Sequence, residues 1–147
     1  MIRILFVVLL ISFVSGDNSI IQKCDSPGGN VVNTTIKNSR ISGGRYLLKR
    51  NTKAGIGIEF EIFDEAKTVT AEVAGVVLSI PIPFILPNAN GCTSLKCPLQ
   101  KGGPYKYYNV LDVLQAYPML TVDVIWKLKD ENQKVLACII IPARIVA

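Results

Sequence analysis

The sequence predicts an all-β sandwich of about seven short strands. Apolar and polar residues alternate with a period of two over long stretches. Clusters of glycine, aspartate, asparagine and serine interrupt that alternation at short intervals. No segment sustains the 3.6-residue stripe of an amphipathic helix. There is no internal repeat, low-complexity segment or linker, so the strands belong to one domain.

The strands follow in order. Residues 31–37 form the first, and Ser42-Gly43-Gly44 turns the chain into residues 46–50. The third has Ile56, Ile58, Phe60 and Ile62 on one face, with Gly57, Glu59 and Glu61 on the other. Asp64-Glu65-Ala66 precedes a fourth over residues 67–80. The stretch IPIPFILPNANGC, residues 80–92, cannot be a central strand, because each proline removes a ladder donor. It reads as a rigid apolar loop. After Lys101-Gly102-Gly103-Pro104 comes a fifth strand over 105–114. In the sixth, Leu120, Val122, Val124, Trp126 and Leu128 alternate with Thr121, Asp123, Ile125 and Lys127. Asp130-Glu131-Asn132 turns into the seventh, residues 135–146.

The leader MIRILFVVLLISFVSG combines one arginine, a short apolar run and small residues before Asp17. This is the pattern of a secretory signal peptide, cleaved after Gly16, leaving a soluble domain over residues 17–147. Secretion makes disulfides of the four cysteines. Three pairings are possible. Cys92 and Cys97 are near enough in sequence to close a small loop, which leaves Cys24 with Cys138. Asn33-Thr34-Thr35 is a glycosylation sequon.

Several function classes are disfavoured by composition. The chain has no histidine, which removes Ser-His-Asp and Cys-His catalysis and histidine-based metal sites. Gly28-Gly29 and Gly102-Gly103 read as turn glycines rather than a phosphate loop. Glu59, Glu61 and Asp123 fall on the wet faces of their strands. No enzyme, metal site or cofactor is expected. The net charge of +5 comes from scattered lysines and arginines. Nucleic-acid binding needs a clustered stripe, so weak attraction to anionic membranes is the simpler reading.

Two readings of the proline-rich loop stand at this point. Pro81, Pro83 and Pro87 stiffen it, so its hydrophobes either seal the domain's own core or form a preformed wall for an apolar ligand.

The stretches IPIPFILPNANGC, CPLQKGGPYKYYNVLDV and AYPMLTVDVIWKLKDENQKVLACIIIPARIV carry a resemblance. In order and spacing, Pro-x-Pro-Phe, Gly-Cys, Cys-Pro-x-Gln-Lys, Tyr-Pro, Trp and Cys-x-x-x-Pro resemble the lipid-recognition (ML) domain family. Within it they are most similar to the small soluble Niemann–Pick C type 2 sterol carriers. The resemblance implies an immunoglobulin-like sandwich with an apolar cavity between its two sheets, and the same two disulfides. It implies that Phe84 and Tyr117 line the pocket mouth with Val113, and that Leu120, Val124 and Trp126 are wall positions. The typical family member has a third disulfide, in the segment held here by Asn38 to Gly44, where no cysteine stands. That connection is therefore expected to be looser.

The function implied is carriage of a sterol or fatty-acid-like ligand by a secreted or endosomal–lysosomal monomer, delivered through transient membrane contact or to a membrane-bound sterol acceptor. Ile82, Phe84, Ile85 and Leu86 would form the touching tip, with Lys96 and Lys101 beside it. The alternatives are recognition of microbial lipids, with Lys96, Lys101 and Lys106 ringing the mouth, and carriage of semiochemicals.

Overall fold

The computed structural model describes residues 19–147; the predicted signal peptide lies outside the described residues. The strands are β1 (Gln22–Lys23), β2 (Gly29–Lys37), β3 (Ile41–Ser42), β4 (Arg45–Lys49), β5 (Thr52–Ile62), β6 (Thr70–Val77), β7 (Ile80–Pro83), β8 (Gly102–Val113), β9 (Thr121–Lys129) and β10 (Val135–Val146). They form two facing sheets. The larger runs β3-β4-β10-β9-β6-β7, with β1 also on β10; the smaller is β2-β5-β8. Neighbours are antiparallel except for β4 and β10, which run parallel.

Period-two alternation fills the space between the sheets. Ala54, Ile56, Ile58, Phe60 and Ile62 of β5 face Val122, Val124, Trp126 and Leu128 of β9, within one contiguous apolar cluster. Burial of this area is the main drive to fold. The disulfide Cys24–Cys138 ties the first strand to the last, with Cα atoms 5.0 Å apart, and Cys24 N–H donates to the Cys138 carbonyl at 3.0 Å. Gly29 is needed where β2 passes under β10: a Cβ there would lie 2.3 Å from the Leu136 carbonyl oxygen and 2.4 Å from that of Glu61.

Two expectations are corrected. The strand expected over 67–80 starts at Thr70 and ends at Val77. Residues 63–69 cross between the sheets, and Leu78 and Ser79, both at positive φ (50° and 66°), close a two-residue hairpin into β7. The proline stretch is therefore not all loop: Ile80–Pro83 is an edge strand. Phe84 N–H donates to Val73 O at 2.9 Å, so the alternation of N–H directions turns the positions of Pro81 and Pro83 away from β6. The missing donors fall on the unpaired edge.

Asp123 lies on the wet face as expected, its side chain 46% exposed; there it accepts from Arg45 Nη1 at 2.9 Å, and the same nitrogen donates to the Ala143 carbonyl at 3.2 Å. The segment without its disulfide folds as the β3–β4 hairpin and is tied down by Ser39 Oγ to Leu47 O (2.7 Å), Leu47 N to Arg40 O (2.8 Å) and Asn38 Nδ2 to Lys53 O (2.7 Å). Hydrogen bonds stand here in place of a covalent link.

Candidate functional site

The proline-rich segment is stitched to β6 at both ends. Beyond the Phe84–Val73 bond, Ala71 N–H donates to Ala89 O at 2.8 Å and Gly91 N–H to Val69 O at 2.8 Å. Between these ties, Ile85 to Asn88 bow outward. The Asn109 amide of β8 reaches across to the Asn88 carbonyl at 2.8 Å, fastening the bow to the opposite sheet. Beyond it a short 3₁₀ turn, Gly91–Thr93, is capped by Asn90 and clamped by the disulfide Cys92–Cys97, whose Cα atoms are 5.5 Å apart. The asparagines here satisfy their own loop: Asn90 N–H donates to Asn88 Oδ1 at 3.1 Å and Cys92 N–H to Asn90 Oδ1 at 3.0 Å.

Phe84 and Tyr117 come together. Their rings meet edge to face, with centroids 5.4 Å apart and planes at 73°. Phe84 lies over β6 at Gly75, where a Cβ would stand 2.6 Å from its ring, and beside Val122. Tyr117 sits in the loop from β8 to β9, its N–H bonded to Leu114 O at 3.1 Å. Burial raises its phenol pKa, and the negative charge of Asp112 adds to the rise. The pair caps one end of the inter-sheet cluster.

The other expected site residues lie behind this cap. Val113 ends β8 and is buried, and Leu120, half-buried, precedes β9. Val124 pairs with Gly75 across the β6–β9 ladder, and Trp126 pairs with Val73. Four residues of strand separate Val122 from Trp126, about 13 Å. Val113, Val124 and Trp126 belong to one contiguous cluster of buried apolar side chains between the sheets. Small clefts open at this end: one of about 190 Å³ is lined by Val113, Leu114 and Gln115, and another of about 370 Å³ by Met119, Leu120 and Ile145; one of about 640 Å³ lies between Asn38, Arg40, Lys49 and Val146.

A polar cluster sits at the inner end of this seam. The Tyr107 hydroxyl accepts from Asn109 Nδ2 at 2.9 Å, and its ring packs 6.3 Å from that of Trp126. Burial raises the Tyr107 pKa, against the opposing pull of the Asn109 amide and the nearby Trp126 indole. Trp126 Nε1 itself makes no aligned hydrogen bond.

The surface differs from expectation in detail. Of the four expected tip residues, Ile82 and Ile85 are exposed, Ile85 by 87%, whereas Phe84 and Leu86 turn in against the core. Leu78, at the hairpin turn and 93% exposed, and Ile80 join the exposed set, and on the second rim loop so do Leu114 and Met119. Lys96 and Lys101 are exposed. Lys106 is not at the rim: it alternates with inward Tyr107 and lines a cleft on the outer face of the small sheet, with Asn33, Glu59 and Tyr108. Asn33 and Thr35 of the sequon are exposed on that face. Among the described residues no group of three or more acidic, cysteine or histidine side chains is gathered to hold a metal ion.

Sequence reasoning missed Gly75, whose bare Cα admits the Phe84 ring, and Asn109. Asn109 had a visible signal, a polar residue in phase with Tyr107, Leu111 and Val113.

The family model described as the ML domain matches residues 18–145. The chain is 38% identical over 124 residues to the NPC intracellular cholesterol transporter 2 homolog a of Drosophila melanogaster, covering 83% of this chain and 84% of that one. It is 35% identical over 147 residues to the NPC intracellular cholesterol transporter 2 of Danio rerio, covering 98% and 97%. Among solved structures, a Niemann-Pick type C2 protein from the Japanese carpenter ant superposes with a TM-score of 0.79 at 26% identity, covering 86% of this chain and 98% of that one.

Proposed function

Because the chain belongs to the ML-domain family, we propose that it is a non-enzymatic lipid carrier that holds a sterol or fatty-acid-like ligand between its sheets. The observation that carries this reading is the Phe84–Tyr117 pair, which caps a continuous apolar seam at the end of the sandwich. In this reading Phe84, Val113 and Tyr117 form the mouth, and Leu120, Val124 and Trp126 the wall. Side chains line the seam, and in this reading the ligand enters by parting them. The rim stays in place because its backbone is pinned at Val73, Ala71 and Asn109.

The energetics suit reversible carriage. Removing roughly 400 Å² of apolar ligand surface from water yields ~10 kcal/mol at ~25 cal/mol/Å². Association entropy and the parting of the walls take back several kcal/mol, which leaves micromolar-to-nanomolar affinity. The two disulfides fit an oxidising compartment. The protein works there as a secreted or endosomal–lysosomal monomer, N-glycosylated at Asn33.

Delivery follows from the surface. Leu78, Ile80, Ile82 and Ile85 expose apolar side chains on the β6–β7 hairpin and the adjoining loop, and Leu114 and Met119 do so beside Tyr117. Contact of this rim with a bilayer lets the ligand leave without crossing water, the slow step for an apolar molecule. Transfer to vesicles then accelerates with vesicle concentration and anionic fraction and slows with salt. A rate independent of acceptor concentration excludes transfer by collision.

The test of carriage itself is native mass spectrometry of the purified protein, followed by titration with a fluorescent sterol and a fluorescent fatty acid. One ligand binds per chain, and Phe84→Ala and Tyr117→Ala each weaken binding by roughly 1–3 kcal/mol with the fold retained. Wild-type binding by both variants removes the site assignment.

A further inference from the structure

The geometry points to Arg50 as the group that receives an anionic head group, and so to a carboxylate-headed, single-chain lipid as a preferred cargo. This rests on the carrier reading above. Arg50 follows Tyr46 and Leu48, the core-packed residues of β4, at the next inward position. Its own N–H continues the ladder by donating to Val146 O at 3.0 Å. It stands at the mouth end of the sandwich: the next residue, Asn51, donates from its N–H to Val113 O at 2.7 Å.

The guanidinium is half-buried and, among the described residues, is paired with no carboxylate. The nearby acid Asp112 is engaged by Lys53 at 3.8 Å, and Lys49 points outward. Arg50 Nη1 donates to the backbone carbonyl of Gln115, at 3.3 Å, in the loop that carries Tyr117. That bond anchors the guanidinium under the rim. Its Nε is sealed from solvent and has no hydrogen-bond partner.

A buried donor without an acceptor is costly, and more so on a charged group. With Nη1 held by Gln115, the Nε–Nη2 edge remains. That edge is a planar two-donor fork matched to the two oxygens of a carboxylate. Nε is closed to bulk water, and Tyr46 and Leu48, four and two residues earlier on the same face, pack against the core; in this proposal the acceptor therefore comes from within the sandwich, where a lipid chain lying along the seam ends. A neutral alcohol offers one oxygen and no charge, so it gains less. The lipid therefore sits with its head at Arg50 and its tail running toward Trp126.

The test compares oleate with oleyl alcohol, which share the chain and differ at the head, by equilibrium displacement of a fluorescent fatty acid. Wild-type protein binds oleate roughly five- to tenfold more tightly than oleyl alcohol at low salt, and the ratio shrinks as salt is raised. Arg50→Gln brings the ratio to near one, and Arg50→Lys restores part of it. Each ratio is measured within one protein, so a general loss of fold lowers both affinities and leaves it readable. Should Arg50→Gln fail to fold, the salt dependence of the wild-type ratio decides. A ratio near one in wild-type protein, or one unchanged in Arg50→Gln, overturns the assignment of Arg50 while the carrier reading stands. Failure of both ligands to bind wild-type protein overturns the head-group assignment; if the fluorescent sterol also fails to bind, the carrier reading falls with it.

Discussion

Gly75→Ala probes the rim without replacing either aromatic residue. The added Cβ would lie 2.6 Å from Phe84 Cε2, 3.1 Å from its Cζ and 2.9 Å from Val122 Cγ2. Carbon atoms rest at about 3.5–4.0 Å, so the ring must move by about 1 Å. Val122 is buried and yields little. Overpacking of this kind costs about 1–3 kcal/mol. The cheapest relief lifts Phe84 off β6 and spoils its edge-to-face contact with Tyr117, worth ~0.5–1.5 kcal/mol. Gly75→Ala is therefore expected to lower stability by about 1–3 kcal/mol and to weaken fatty-acid binding about as much as Phe84→Ala does. In the Phe84→Ala background most of the clash is gone, and the cost of alanine at position 75 falls by at least ~1 kcal/mol. Urea unfolding and fluorescent-ligand titration of the four proteins give the coupling directly. Effects that add within ~0.3–0.5 kcal/mol would show that Phe84 does not rest on Gly75, and the account of the rim would fail.

Replacing Cys24 and Cys138 together by serine releases a span of 114 residues and should cost about 4–5 kcal/mol in the chain-entropy picture, read as a lower urea midpoint. Arg45→Ala and Asp123→Ala should couple by ~0.5–1 kcal/mol in a double-mutant cycle, because the pair is half-exposed and screened; no coupling means that Arg45 acts through its bonds to backbone carbonyls rather than through Asp123. Glu131 has a lowered pKa, chiefly through its own backbone N–H and further through the N–H groups of Thr68 and Lys67. Its contribution is present above the ordinary carboxylate pKa and lost as pH falls through the lowered folded value. Glu131→Gln should accordingly flatten the acid limb of the stability–pH curve, and an unchanged limb refutes that role.

The strands were legible because their cause is local. Alternation along residues 56–62 and 120–128 needs no knowledge of partners, and the observed β5 and β9 cover those stretches to within a residue. The hairpin at Leu78-Ser79 was not legible. Two-residue turns with positive φ usually announce themselves by Asn-Gly or Asp-Gly, and Leu-Ser carries no such mark. The Arg45–Asp123 pair was invisible for another reason: 78 residues separate the partners, and nothing in either neighbourhood names the other. The meeting of Phe84 with Tyr117 was expected only through family resemblance, for the same reason of distance along the chain.

The proline-rich segment shows how two readings that compete in the sequence are joined in three dimensions. Phe84 and Leu86 seal the core, while Ile80, Ile82 and Ile85 face outward. In β7 the prolines place their missing donors on the free edge, which also blunts that edge against pairing with another chain. Farther along, the chain bows off β6 between Phe84 and Ala89 and is held by Asn109 from the other sheet. In the carrier proposed above, an apolar rim pinned at both ends opens by moving side chains rather than backbone, so little conformational freedom is lost on binding and the ring contacts re-form on release. That balance depends on the bare Cα of Gly75, and for this reason the smallest residue at the rim is the one whose replacement tests the arrangement most directly.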